Sequence, residues 1–292
     1  MYALLAGGLL LTTFTFSACK KKTTEDPTLP QIGGYNNSNE VAAANLKAHW
    51  SFEGNGNEDI SKTAPTTILN ATFATGGVVG QAVTLNAGYL YYAGPLGALT
   101  TGSSFTVSAW IQVANNQETT NTPSIYFQSA IPGNLFGNIN ALIETGKYKS
   151  TSDTLVLQST YQDVDGGLQN NINDYGVLGT DYLVVKGAGT TKWVHVITTY
   201  DGSDAAHNTI QLYANNVKVG NKNFQDRGAK SFKYSANEVI IGGWYNNIPG
   251  KVVSADPWTL PFIGKIDEVR VFNKALTAAE IKALYDLGVA GR

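Results

Sequence analysis

From residue 46 onward apolar and polar side chains alternate with a period of two, the spacing that sends every second side chain of an extended strand to the same face. Phe105, Val107, Ala109, Ile111 and Val113 alternate with Thr106, Ser108, Trp110 and Gln112, which predicts a strand with one face in a core and the other on a polar surface. In the next clear run, Val194, Val196, Thr198 and Tyr200 alternate with Trp193, His195, Ile197 and Thr199, and both sets are partly apolar, so that strand should lie deeper. Residues 209–214 and 217–219 flank Asn215-Asn216, a pair that tolerates positive φ and suits a tight hairpin. Residues 239–241 and 263–272 predict two more strands. One helix is predicted, at the end of the chain. Thr277 and Glu280 have capping-box spacing, Leu276 and Ile281 occupy the staple positions, Ile281, Leu284 and Tyr285 share a face, and Gly288 is placed to supply a left-handed cap. The pattern is all-β with a short C-terminal helix and no internal repeat.

The composition agrees: 43% hydrophobic residues provide a sizeable core, 31 glycines favour turns, and only 14% of residues are charged. A formal net charge of −2 offers no basic field for a phosphate backbone, so no nucleic-acid partner is expected. The first eighteen residues break the pattern. Residues 3–16 are apolar but too few to span a bilayer as a helix, and they suit the centre of a secretory signal peptide. The run Phe16-Ser17-Ala18-Cys19 resembles the lipobox of bacterial lipoproteins, in which the leader is cut before a cysteine that then carries lipid. Cys19 is the only cysteine, so no disulfide competes for it. The leader departs from that pattern in starting Met1-Tyr2, with no Lys or Arg. After Cys19 the chain is polar and rich in Gly, Asn and Pro to about residue 45, which predicts a flexible tether over 19–45 and a globular domain over 46–292. With more than one acyl chain on Cys19, membrane attachment would be stable.

Several motifs carry a resemblance. His49-Trp50-Ser51-Phe52-Glu53-Gly54, Gly80-Gln81-Ala82-Val83-Thr84-Leu85, Ser104-Phe105-Thr106-Val107-Ser108-Ala109-Trp110-Ile111, Trp193-Val194-His195-Val196 and Leu212-Tyr213-Ala214-Asn215-Asn216 resemble successive strands of the laminin G-like group of the concanavalin A-like lectin/glucanase superfamily. The most specific is Phe262-Ile263-Gly264-Lys265-Ile266-Asp267-Glu268-Val269-Arg270-Val271-Phe272, continued by Asn273-Lys274-Ala275-Leu276-Thr277. The resemblance covers nearly all of residues 46–287. It implies a two-sheet antiparallel jelly-roll sandwich with first and last strands adjacent. The ligand is not implied, because the fold hosts lectins, adhesion modules and glycosidases alike.

Related jelly rolls often hold a structural calcium between the first-strand loop and the last strand, which points to Asp59 and Asp267 as metal ligands. The loop Glu53-Gly54-Asn55-Gly56-Asn57-Glu58-Asp59 is rich in the hard oxygen donors calcium prefers. Plain alternation puts Asp267 on the face of Val269 and Val271, opposite Glu268 and Arg270. An inward carboxylate must be paired, hydrogen-bonded or metal-bound, and backbone amides or a Lys would serve as well as calcium. Catalysis finds little material. The family's glucanases carry acids spaced Glu-x-Asp-x-x-Glu on one strand, and no such run occurs; His49, His195 and His207 are scattered.

Binding has better material. Trp244, Tyr245, Asn246 and Asn247, followed by Trp258, lie in a long loop before the last strand, where aromatics beside amides suit flat sugar faces or peptide side chains. The alternative is that Trp244 and Trp258 form a satellite core under their own loop. Trp50 and Trp193 are expected in the core, and Trp110 is open between core and groove. Residues 114–182 are longer than a hairpin needs, contain a strand near 155–157, and elaborate the sheet around a binding face. The expectation is a non-catalytic lipoprotein on the outer membrane at the cell surface. It would bind a glycan or peptide, as an accessory to a nutrient-uptake transporter complex or as an adhesion module, with a glycoside hydrolase as the weaker alternative.

Overall fold

The computed structural model describes residues 29–96, 103–173, 185–186 and 192–292. Cys19 and the expected signal peptide lie outside them. The chain divides after Pro30, and Gln31–Arg292 form one compact unit.

The first strands of that unit are β1 (Leu46–Trp50), β2 (Thr67–Thr75), β3 (Gln81–Tyr92) and β4 (Phe105–Gln112). The central region supplies β5 (Ser124–Ile131), β6 (Asn134–Ile143), β7 (Thr154–Leu155), β8 (Leu157–Gln162), β9 (Leu168–Ile172) and β10 (Val185–Lys186). The chain closes with β11 (Val194–Asp201), β12 (Thr209–Ala214), β13 (Val217–Lys218), β14 (Glu238–Ile241), β15 (Phe262–Phe272) and the helix α1 (Ala278–Val289). Among the described residues the pairing is antiparallel and continuous in the order β13-β12-β11-β4-β15-β3-β14-β5-β6-β8-β9, with β1 beside β15 and β2 beside β3; β7 and β10 pair separately. The long β3 and β15 serve both halves, so the sheet curls upon itself and closes a core. Tyr161 of β8 meets Tyr200 of β11 at 4.7 Å across that core, and Trp50 of β1 meets Phe127 of β5 at 6.2 Å. First and last strands are adjacent, with Trp50 opposite Val269. The all-β jelly roll with one C-terminal helix is thus the fold.

Local chemistry sets the turns. Asn215 and Asn216 take φ of 46° and 64° and close the β12–β13 hairpin. Thr277 and Glu280 form the expected capping box, and Leu276 and Ile281 are buried together beside it. Gly288 differs from expectation: it lies inside α1, and Gly291 is the left-handed residue, at φ 68°. The reason is steric. A Cβ on Gly288 would come within 2.6 Å of the Trp110 indole. The helix packs over Trp110, so every residue of β4 is buried and its Thr/Ser/Gln face is interior. Trp50 is core, whereas Trp193 precedes β11, is half-buried and donates to the Gly76 carbonyl at 3.3 Å.

The expected tether also ends earlier than residue 45. Val41 is fully buried, Ile32 and Tyr35 pack against the α1 cluster, and Arg270 donates to Ser38 Oγ at 2.7 Å and Asn39 Oδ1 at 3.0 Å. Sparse apolar residues in a polar run suffice here because they pack against Phe272, Leu276 and the buried face of α1.

Candidate functional site

The loop between β14 and β15 opens on Gly242-Gly243 and then carries Trp244 and a single 3-10 turn, Tyr245–Asn247. Two asparagines hold its shape. Asn247 accepts from the Trp244 N–H at 2.8 Å and donates to the Thr259 carbonyl at 2.6 Å. Asn246 donates to the Ser254 carbonyl at 2.7 Å and accepts from the Val253 N–H at 2.8 Å. Both amides expected to meet a ligand are therefore loop clamps. Tyr245 turns away to pack with Tyr89, Tyr91 and Ile248, beneath the Lys251 ammonium 5.3 Å from its ring. Trp244 is 1% exposed among Ile125, Leu135 and Leu142, a satellite core under the loop. Trp258 is only partly buried; it stands edge-on to Trp244 at 5.1 Å and stacks on Phe136 at 6.0 Å.

Of the five loop residues, the structure brings Trp244 and Trp258 into one wall. That wall flanks a trough of about 380 Å³ on the face of β6, β8 and β9 turned away from the core, with Leu142, Gln158, Thr160, Leu168 and Asn170 as floor and Glu144 at the end of β6. The floor is stiff. Register aligns Gln128, Asn140, Thr160 and Asn170 across four strands. Gln128 donates to Asn140 Oδ1 and Asn140 donates to Thr160 Oγ1, each at 2.7 Å. The row then stops: the amides of Asn170 and its neighbour Gln158 have no side-chain hydrogen bond among the described residues, and neither has the Glu144 carboxylate. Burial raises the Glu144 pKa, with Lys147 opposing. Phe136, Gln158, Thr160, Asn170 and Glu144 escaped the sequence reading. Gln158 and Thr160 do alternate with core residues on β8, but nothing in one chain says which edge strands lie beside a loop 90 residues on.

Asp59 and Asp267, the expected calcium ligands, each accept hydrogen bonds from backbone N–H groups. Asp267 Oδ2 accepts from the Val78 and Val79 N–H groups at 2.7 and 3.2 Å, and Oδ1 from the Glu268 N–H at 2.9 Å. Three N–H donors make a cradle for an anion. Burial and the Glu268 charge push the Asp267 pKa up to about 8 against those donors. A bulge at Glu268, φ 51°, shifts the register between Asp267 and Arg270, so Val269 and Val271 face the core with Ile266 while Asp267 does not share their face. Asp59 accepts from the Ser51 N–H at 2.9 Å and lies 3.4 Å from His49 Nδ1. Among the described residues no three His, Cys, Asp or Glu side chains gather as a metal set.

Asp59 instead lines a larger cleft of about 850 Å³ with His49, Glu268 and Arg270. These four side chains answer one another. His49 Nε2 lies 3.2 Å from Glu268, and Arg270 pairs with the same carboxylate. Burial alone would raise the Glu268 pKa, but Arg270 and His49 hold it below the ordinary value. The cleft is also lined by Lys62, which makes no ion pair among the described residues, and by Glu53, which accepts from the Gln81 N–H at 2.9 Å; the trough differs in setting a donor-free carboxylate and two unengaged amides beside an aromatic wall. His195 is a sheet residue: it accepts from or donates to Ser108 Oγ at 2.9 Å and stacks on Trp110 at 4.7 Å.

The laminin G-like family model, described as concanavalin A-like lectin/glucanases superfamily, matches residues 80–282. No curated protein matches the chain. Among solved structures, domain 4 of AbnA, an extracellular arabinanase of Geobacillus stearothermophilus in complex with arabinotriose, is 18% identical with a TM-score of 0.50, over 82% of this chain and 98% of that one. The binding domain of Paraclostridial Mosquitocidal Protein 1 is 16% identical with a TM-score of 0.53, over 83% of this chain and 52% of that one. The receptor binding domain of botulinum neurotoxin type G is 13% identical with the same score, over 83% and 51%. The chain thus spans about half of each toxin binding domain. At these identities the likeness is one of fold.

Proposed function

Since the chain belongs to the concanavalin A-like lectin/glucanase superfamily, a group united by its sandwich and not by one chemistry, we propose that it is a non-catalytic binding protein that takes a glycan chain or fragment in the trough beside Trp258. One observation carries this reading: a partly exposed aromatic wall, Trp258 on Phe136, faces the unengaged amides of Gln158 and Asn170 across a hydrogen-bonded floor. Sugar rings offer flat C–H faces to aromatics and hydroxyls to amides at the rim. Among the described residues the lining holds one carboxylate, Glu144, where glycosidases set a pair across the scissile bond. The arabinotriose complex of the structural neighbour supports glycan as the ligand class by analogy.

The reading extends to location. Cys19 carries lipid, residues 20–30 link it to the domain, and the protein serves a polymer-uptake transporter on the outer membrane at the cell surface. Binding of the full chain in detergent to a polysaccharide panel is the test of the site: Trp258→Ala should weaken any hit at least tenfold, and unchanged binding would remove the trough from consideration. Cys19→Ser should release the chain from the membrane fraction. A second reading, an adhesion module, draws on Val252, Val253 and Leu260, apolar side chains exposed on the same loop. A stoichiometric protein partner co-purifying from solubilised membranes, lost with Val252→Asp but not with Trp258→Ala, would favour it.

A further inference from the structure

Among the described residues the trough is lined by one ionisable side chain, Glu144, and by no Lys, Arg or His. Its position is fixed at the backbone, where its N–H donates to the Val156 carbonyl at 2.8 Å and its carbonyl accepts from the Lys147 N–H at 3.0 Å. The carboxylate is half-buried and receives no hydrogen bond from any described residue. Lys147 is exposed and acts on it only through space. A carboxylate so placed costs free energy until donors reach it. Paired sugar hydroxyls can supply two at once, a charge-assisted arrangement stronger than the neutral hydrogen bonds of Gln158 or Asn170. A second carboxylate or a sulfate supplies none and meets a like charge where water is partly excluded. We infer that Glu144 sets the charge selectivity of the trough, admitting uncharged glycans whose hydroxyls donate to it and turning away acidic ones. The inference rests on the glycan-binding reading and names the substrate class within it.

The test takes the neutral polysaccharide that the full chain binds best and compares it with the same polymer oxidised to the uronate at its primary hydroxyls. The wild type is expected to bind the oxidised form at least tenfold more weakly at low salt, with the gap narrowing as salt screens the repulsion. Glu144→Gln, which keeps the shape and removes the charge, should bring the two affinities within about threefold, and Glu144→Lys should invert the order. Trp258→Ala should weaken both polymers alike. A preference that survives Glu144→Gln and Glu144→Lys overturns the inference while leaving the glycan reading intact. Stronger binding of the acidic polymer by the wild type overturns it directly. No binding to any polysaccharide overturns the reading and the inference together.

Discussion

His195 lies under α1 beside Trp110 and Tyr285, 2% exposed, with Ser108 as hydrogen-bond partner. Burial, aided by the Arg270 charge, lowers its pKa to about 3. The unfolded chain therefore takes up a proton on this residue below about pH 6.5 while the fold does not, so its contribution is intact above 6.5 and is lost on acidification toward 3. Asp267 acts with the opposite sign. Its folded pKa of about 8 lies above the unfolded 3.8, so its contribution is present below 3.8 and is lost as pH rises through 8. The two nearly cancel between pH 4 and 6.5. The expected outcome is that the stability difference between wild type and His195→Gln shrinks by roughly 1 to 1.5 kcal/mol per pH unit of acidification across that window, read from urea unfolding; a pH-independent difference would refute the assignment. Gly288 makes a sharper case at the same contact. Alanine there gains about 1 kcal/mol of helix propensity, but a Cβ within 2.6 Å of the Trp110 ring forces the helix off it. Overpacking of that kind costs about 1 to 3 kcal/mol, so Gly288→Ala should lower the midpoint of thermal unfolding.

At the scale of elements, α1 tests how far local sequence governs structure. Its Thr277 hydroxyl accepts from the Glu280 N–H at 3.3 Å, the Glu280 carboxylate returns to the Thr277 N–H at 2.8 Å, and Lys274 binds Glu280 at 2.6 Å. Thr277→Ala removes one cap acceptor, a loss of about 1 kcal/mol, or roughly 2 to 4 °C in a unit of this size; Thr277→Ser should be close to neutral. That cap, the Asn215-Asn216 hairpin and the strands around Val107 and Val196 were all legible in the sequence, because each depends on neighbours within a few residues. The bulge at Glu268 was not. Eleven residues that alternate evenly on paper slip by one where the backbone turns left-handed at a glutamate, and the slip moves Asp267 off the face of Val269. The trough was half legible. The loop bearing Trp244 and Trp258 stood out, but Asn246 and Asn247 turned out to clamp it, and the floor came from β6, β8 and β9, whose nearness to that loop is a matter of strand order.

At the scale of the whole molecule, residues 31–45 decide where the domain begins. Composition reads them as tether, yet Val41 is fully buried, and Ser38 and Asn39 accept hydrogen bonds from an Arg270 side chain that is itself 3% exposed. Their removal would expose one side of the α1 cluster and leave Arg270 with Glu268 as its remaining partner among the contacts named here. Fully burying a valine contributes about 1.5 to 3 kcal/mol, and stripping hydrogen bonds from a buried charged group costs about 1.5 to 3 kcal/mol. Removal of residues 1–45 should therefore lower unfolding stability by roughly 3 to 6 kcal/mol, a large share of what a single domain possesses. Removal of residues 1–30 alone should change it by less than about 0.5 kcal/mol. Urea unfolding of the two truncated chains beside the full one measures both. Equal midpoints for the two truncations would mean that 31–45 is tether after all. A loss confined to the longer truncation would place the start of the folded unit at Gln31.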